Sequence, residues 1–283
     1  MANIPTSAHR PTLVDDAIFQ INDSNFLGKY MEYNLKSVFQ PIYKIHDRQA
    51  ELVGYEALIR VFDSEKNVIP PDFFASVQPE DRFFVDWLCR TIHLQNFAAG
   101  NHSGKQIFVN LTPTSFKSFA ESDPEVAIFA DKISELGLHP SQVVCEITEH
   151  PVDSLELLTV ISKRFQESGI RIAIDDFGVG HSNLERVNAL QADIVKLDRL
   201  WCLEMRQTLA TDQLARDMIS QFSQMGIDIV YEGVETEADI AFAMDTPIGY
   251  LQGFYLGRPE ANTNAAEVIS LDHIPQMARQ LSA

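Results

Sequence analysis

Seven short apolar runs in this chain each end on a residue able to do chemistry. Glu56 follows Leu52 and Gly54 on one face of its run, Asn110 closes Ile107-Phe108-Val109, and Glu146 closes Val143-Val144-Cys145. Asp175 and Asp176 follow Ile172-Ala173-Ile174, Lys196 follows Ile194-Val195, and Glu232 and Gln252 complete the series. A single carboxylate at a strand end is ordinarily a helix cap or a solvated side chain, but its repetition along the chain weakens that reading. Carboxylates gathered in one place raise each other's pKa and need cations to stay ionised. With oxygen ligands and no Cys or His at these positions, the set suits magnesium or manganese and not zinc. Asp175 and Asp176 are adjacent, so one can turn inward while the other leans over a rim, an arrangement that suits two ions sharing a carboxylate. Two such ions activate a water and stabilise both oxygens of an in-line phosphoryl displacement, so phosphodiester hydrolysis is the reaction class expected.

For these residues to converge, the runs that carry them must be strands of one sheet. From about Phe39, short apolar runs alternate with longer segments of helical period, the βα rhythm of a parallel sheet. Strands are predicted from Ser37 to Ile45, Glu51 to Arg60, Gln106 to Leu111, Val143 to Ile147, Ile170 to Asp175, Asp193 to Leu197, Ile227 to Glu232 and Ile248 to Phe254. Eight strands predict a TIM-like (β/α)8 barrel, in which the C-terminal strand ends line one mouth. Only the polar stretch His46 to Gln49 joins the first two strands, too little for a crossover helix, so the first strand should run antiparallel to the rest. Helices are expected from Asp81 to Ala99, through the stripe Leu157, Leu158, Ile161 and Phe165, and from about Thr208 to Met225, with Gly100, Gly169 and Gly226 as stops. Residues 1–32 read as a lead-in with one helix after Ser24, 33–262 as the barrel, and 263–283 as a C-terminal helical segment.

Composition narrows the ligand. The 283 residues carry a formal net charge of −18, with 45% hydrophobic and 22% charged residues, ordinary for a folded soluble domain. That charge argues against a broad grip on nucleic acid, and no DNA binding is expected. An anionic ligand must therefore be met locally, by metal ions or a few placed cations. Cys89, Cys145 and Cys202 are an odd set in apolar stretches, which fits reduced thiols and a cytoplasmic location. No apolar run approaches the roughly 18 residues of a membrane span and no signal peptide is visible, so no membrane association is expected.

The motifs around these residues resemble the EAL family. Gly54-Tyr55-Glu56-Ala57-Leu58-Ile59-Arg60 is similar to its signature, and it is joined in order by Phe39-Gln40-Pro41-Ile42, Val109-Asn110-Leu111, Glu146-Ile147-Thr148-Glu149, Asp175-Asp176-Phe177-Gly178, Val195-Lys196-Leu197-Asp198-Arg199, Glu232-Gly233-Val234-Glu235-Thr236 and Leu251-Gln252-Gly253. Together they cover about residues 35 to 260. The resemblance implies a cyclic di-GMP phosphodiesterase that uses two Mg2+ or Mn2+ ions, is inhibited by Ca2+, forms a homodimer, and releases the linear dinucleotide pGpG. It assigns Glu56, Asn110, Glu146, Asp175, Asp176 and Glu232 to the metals. Lys196, beside the attacking water, is catalytic, as are Glu232, Glu235 and Gln252. Gln40, Leu58, Arg60 and Asp198 fall at substrate-binding positions, and Glu149 at the anchor of the loop after the fifth strand. Three of these have plainer readings: Arg60 as half of a rim ion pair, Glu149 as an acid in the first turn of a helix, and Asp198, with Arg199, as a dimer contact or a solvated loop.

That loop departs from the family pattern at Val179, His181 and Asn183, where Thr or Ala, then Tyr, then Ser are more usual; the metal positions are untouched. Asp-Phe-Gly also occurs in protein kinases, but here no Gly-rich phosphate loop precedes a candidate lysine and no His-Arg-Asp loop lies upstream. The Gly-Gly-acidic signature of a diguanylate cyclase is missing too. With its full ligand set the sequence favours an active enzyme over a cyclic di-GMP receptor or a protein-interaction module on the same barrel.

Overall fold

The computed structural model describes residues 13–22, 25–100, 102, 104–112, 123–147, 155–178 and 184–275. Its strands are β1 (Ile18–Asn22), β2 (Asn25–Tyr30), β3 (Tyr33–His46), β4 (Gln49–Asp63), β5 (Lys66–Val68), β6 (Gln106–Leu111), β7 (Val143–Ile147), β8 (Arg171–Phe177), β9 (Ile194–Leu197), β10 (Asp228–Tyr231), β11 (Tyr250–Gln252) and β12 (Val268–Ser270). Its α-helices are α1 (Pro70–Ser76), α2 (Arg82–Ala99), α3 (Asp123–Glu135), α4 (Leu155–Glu167), α5 (Leu184–Leu190), α6 (Arg199–Met205), α7 (Leu209–Gln224) and α8 (Glu237–Met244).

Eight strands close in the order β3-β11-β10-β9-β8-β7-β6-β4, with β4 returning to β3. Every neighbour pair from β4 round to β11 is parallel, and β3 is antiparallel to both of its neighbours. This is the expected barrel with a reversed first strand. The reversal follows from the tight β3–β4 turn, in which Asp47 and Arg48 both take positive φ, 45° and 61°.

Side chains on a strand alternate faces, so each barrel strand presents one face inward and one to the helices. The outward set, including Tyr43, Tyr55, Ile107, Val109, Cys145, Ile172, Ile174, Val195, Ile229 and Tyr231, packs with the helices into the main core. The inward set forms a second, smaller core: Ile42, Phe108, Val144, Ala173, Ile194 and Val230, with Val53 and Tyr250 against it. This layer plugs the barrel and gives the mouth above it a dry floor. Of the helices, α4 buries Leu158, Ile161 and Phe165 and gives way to Gly169 at φ 81°, as its stripe predicts. Helix α7 begins on a Thr208 side-chain cap, which accepts from Thr211 N.

Two expectations are corrected. Instead of a helix after Ser24, β1 and β2 form an antiparallel hairpin, and β2 pairs with the start of β3. The physical reason is the edge that β3 offers by starting at Tyr33: the turn at Met31, φ 52°, folds β2 straight back onto it. The Asn96 side chain then satisfies both Phe26 N, at 2.7 Å, and Phe26 O, at 3.0 Å. The second concerns residues 263–283, whose described part, up to residue 275, contains β12 and no helix. Strand β12 pairs antiparallel with the start of β4, and Arg48 holds the chain beyond it by donating to Leu271 O, Asp272 O and Ile274 O. Among the described residues no helix is long and apolar enough to cross a membrane.

Candidate active site

Two residues beyond each member of the apolar plug, toward the mouth, stands a polar side chain. Phe108 is followed by Asn110, Val144 by Glu146, Ala173 by Asp175, Ile194 by Lys196, Val230 by Glu232 and Tyr250 by Gln252, while Gly54 precedes Glu56. Strand β3 runs the other way, so its polar residue, Gln40, comes two residues before Ile42. All eight barrel strands thus contribute to one polar ring. Register confirms the level: Gln40 lies opposite Glu56, and Asn110 opposite Glu146. Gly54 is required by a close approach, since a Cβ there would lie 2.6 Å from Gln106 O.

Lys196 is fully buried at the centre of the ring. Its Nζ lies 2.6 Å from Glu232 Oε1, 3.0 Å from Asp175 Oδ1 and 3.4 Å from Glu56 Oε2, and it also pairs with Glu146 Oε1. Gln252 Nε2 donates to Glu56 Oε2 at 2.6 Å. Asp176 takes φ 53° where β8 slips register against β9 between Ile174 and Phe177. This local bulge keeps Asp175 in the ring and brings the half-exposed Asp176 to the same mouth, as its adjacency predicts. Carboxylate oxygens of Asp175, Asp176 and Glu232 come within 4.8 Å of one another. The next turn needs a glycine: Gly178 has φ 103°, and a Cβ would lie 2.2 Å from Trp201 Cγ.

Electrostatics follow from this crowding. Burial first, then the neighbouring Glu56, holds Glu146 well above the usual carboxylate range despite Lys196. Burial likewise raises Glu232, opposed by Lys196 and reinforced by Asp175. Asp176 is pushed up to about 6 by burial and by Asp175. Burial alone would lower Lys196, but Asp175, Glu146, Glu232 and Glu56 outweigh it and keep the ammonium charged.

One ammonium cannot balance five clustered carboxylates. Among the described residues, the buried Glu146 Oε2 and Gln252 Oε1 also have no hydrogen-bond partner. Orphaned buried oxygens and surplus negative charge are what a hard divalent cation resolves, so the residues present fit such ions. The donors available are Glu56, Asn110, Glu146, Asp175, Asp176 and Glu232.

The other sequence-predicted residues that the structure describes make contacts of their own, apart from the acid cluster. Leu58, Arg60 and Asn110 line a cavity of about 270 Å³ with Phe74, His93 and Thr112. Arg60 Nη1 donates to Ile59 O at 2.9 Å. Gln40 Nε2 donates to Gly257 O at 3.3 Å. Asp198 caps α6, accepting from Trp201 N at 3.0 Å. Glu235 is half-exposed and pairs with Arg199 at 3.3 Å. Glu149 and the loop positions Val179, His181 and Asn183 lie outside the described residues. The sequence reading missed Asp239, which binds Arg199 from below; its one signal is the Thr236-to-Asp239 spacing of a capping box.

The EAL domain family model matches residues 30–259. The chain belongs to the EAL domain family. Within the family it is 30% identical over 226 residues to an uncharacterized signaling protein of Caulobacter vibrioides, covering 78% of this chain and 27% of that one. It is 29% identical to the bifunctional diguanylate cyclase/cyclic di-GMP phosphodiesterase MucR of Pseudomonas aeruginosa, covering 78% and 32% respectively. The EAL chain therefore spans about a third of the length of these relatives. Among solved structures, the manganese and cyclic di-GMP complex of Klebsiella pneumoniae BlrP1 superposes with TM-score 0.73 at 25% identity, covering 83% of this chain and 59% of the other. The calcium and cyclic di-GMP complex of the same protein gives TM-score 0.70 at 27% identity, covering 83% and 58%.

Proposed function

We propose that this chain is a divalent-metal-dependent phosphodiesterase that opens cyclic di-GMP to the linear dinucleotide pGpG. The observation that carries the reading is the polar ring itself: every barrel strand delivers a polar group to one dry-floored mouth, and among the described residues the acids there outnumber the one ammonium, that of Lys196. The names of MucR and of the BlrP1 complexes support the ligand, and manganese in one of those complexes supports the metal class.

Glu56, Asn110, Glu146, Asp175, Asp176 and Glu232 would hold two Mg2+ or Mn2+ ions, which when bound supply an activated water and charge neutralisation for an in-line phosphoryl displacement. The residues of the chain do the rest. Lys196 keeps a fixed positive charge where negative charge develops on the phosphoryl oxygens, and its preorganisation by four carboxylates means little reorganises during attack. Gln252 fixes Glu56 in one orientation through its amide. Glu235 reaches the mouth from the loop after β10. Arg60, Gln40, Leu58 and Asp198 border the approach, where they orient the dinucleotide so that one phosphodiester lies over the acids. The apolar plug excludes water from below, which strengthens each of these interactions.

The test is to incubate the purified chain with cyclic di-GMP and manganese and to follow the linear product by chromatography, with Glu56→Gln as the control. Product from the wild type and none from the variant is expected. Binding of cyclic di-GMP without product under any divalent metal would overturn the reading.

A further inference from the structure

Resting on the phosphodiesterase reading, we infer that Arg199 is a positioning residue, a clamp between α6 and the loop 232–236 that sets where Glu232 and Glu235 stand relative to Lys196. The clamp is anchored on Asp239, which is 1% exposed. Asp239 Oδ2 accepts from Arg199 Nε at 3.2 Å, from Thr236 N at 3.0 Å, from Thr236 Oγ1 at 2.9 Å and from Glu235 N at 3.2 Å. Its Oδ1 accepts from Tyr231 OH at 3.2 Å and faces Arg206 Nη1 at 3.6 Å. One buried carboxylate therefore fixes the backbone of the loop on one side and Arg199 on the other.

Arg199 uses its fork in two directions. While Nε goes to Asp239, Nη1 reaches Glu235 Oε2 at 3.3 Å. The same side chain packs under the loop: Gly233 has φ 63°, and a Cβ there would lie 3.0 Å from Arg199 Cβ. Arg199 is also the first residue of α6, three positions after Lys196 and directly after the cap Asp198. The loop bearing two acids of the mouth is thereby tied to the element that follows the lysine. The planar fork presents separate, fixed donors to the two carboxylates, whereas a lysine would have to reach both from a single ammonium nitrogen. Since Arg199 touches neither the acid ring nor Lys196, it acts through Glu235 and the loop.

The test compares Arg199→Gln, Arg199→Lys and Arg206→Gln. Arg206 shares the Asp239 anchor but does not reach Glu235, so it controls for simple loss of stability. Manganese binding is measured by titration calorimetry on the substrate-free protein, alongside thermal melting, kcat and KM. Residues that orient a metal's ligands typically change affinity or activity by roughly 10- to 100-fold. Arg199→Gln should weaken manganese binding and lower kcat within that range at nearly constant KM, Arg199→Lys should fall between it and wild type, and Arg206→Gln should bind manganese as wild type does. If Arg199→Gln and Arg206→Gln differ from wild type only in melting temperature, the positioning role is overturned. If the wild type proves inactive toward cyclic di-GMP, the functional reading fails, while the manganese titration still decides the clamp.

Discussion

Replacing Lys196 by Ala removes the ammonium that Glu56, Glu146, Asp175 and Glu232 share. In metal-free protein those acids would then face one another without a counter-charge. Breaking a buried ion pair by deleting one partner costs about 3–5 kcal/mol. For a chain of this size each kcal/mol moves Tm by roughly 2–4 °C, so the metal-free variant should melt about 6–20 °C below wild type. The acids relieve part of this by binding protons. Burial already raises Glu146 and Glu232, and Lys196 opposes the rise, so without it both titrate higher still. A raised native pKa means the folded state binds more protons than the unfolded one, so stability is gained as pH falls. The deficit of the variant should therefore be widest at neutral and alkaline pH and should narrow in acid.

Saturating manganese changes the outcome, because bound cations take over the pairing of the acids. The melting deficit should shrink, and what remains is a catalytic defect. Loss of one preorganised charge at a developing oxyanion lowers kcat by about 100- to 1,000-fold. KM should stay near wild type, since the interaction strengthens in the transition state and not in the ground state. Paired melts with chelator and with manganese, and steady-state kinetics with cyclic di-GMP, read all three effects. A variant that keeps kcat and loses only affinity would make Lys196 a substrate anchor; an unchanged metal-free Tm would refute the charge arrangement drawn for the ring.

Calcium prefers larger and more flexible coordination than magnesium, so calcium as the only divalent ion should support cyclic di-GMP binding but little turnover, read by calorimetry and product assay. His93 is pushed down to about 3 by burial and then by Arg90, with its Nδ1 2.8 Å from Ser37 Oγ. The unfolded state takes up its proton near 6.5, so stability present above that pH is lost toward 3 by about 1.4 kcal/mol per pH unit, and His93→Gln should flatten the acid limb of urea midpoints. Gly253→Ala would drive a Cβ to 2.1 Å from Val234 N, a backbone atom that no rotamer change moves aside. It should cost about 1–3 kcal/mol and displace Gln252 enough to depress activity, whereas Gly249→Ala, which meets nothing within 4 Å, should be neutral in both melt and assay.

The barrel strands and the polar ring were legible because one rule generates both. Inward residues alternate with outward ones, so an apolar plug residue and a mouth residue sit two apart on seven of the eight barrel strands, with Gly54 in the plug position of β4, and a run ending in Glu, Asn or Lys announces itself. The hairpin β1–β2 and the strand β12 follow no such rule. They are short, and their conformation is decided by the edges that β3 and β4 happen to expose and by single side chains such as Asn96 and Arg48. Asp239 and its pairing with Arg199 escaped for a related reason: the two are 40 residues apart, and Asp239 taken alone reads as an ordinary helix-end charge.

The same alternation explains why a barrel mouth can tolerate so many acids. An isolated carboxylate in a dry cavity would take up a proton and become useless as a ligand, as the raised Glu146 shows. A single lysine among the acids changes that balance without abolishing it. Lys196 pairs with four carboxylates, yet among the described residues Glu146 Oε2 finds no hydrogen bond and Asp176 stays half-exposed. The ring is thus neutralised enough to fold on its rigid strands and left short enough of positive charge to draw divalent cations. Replacing any one acid by a neutral isostere would ease the repulsion while weakening that demand, so gains in metal-free stability and losses in metal affinity should travel together around this ring.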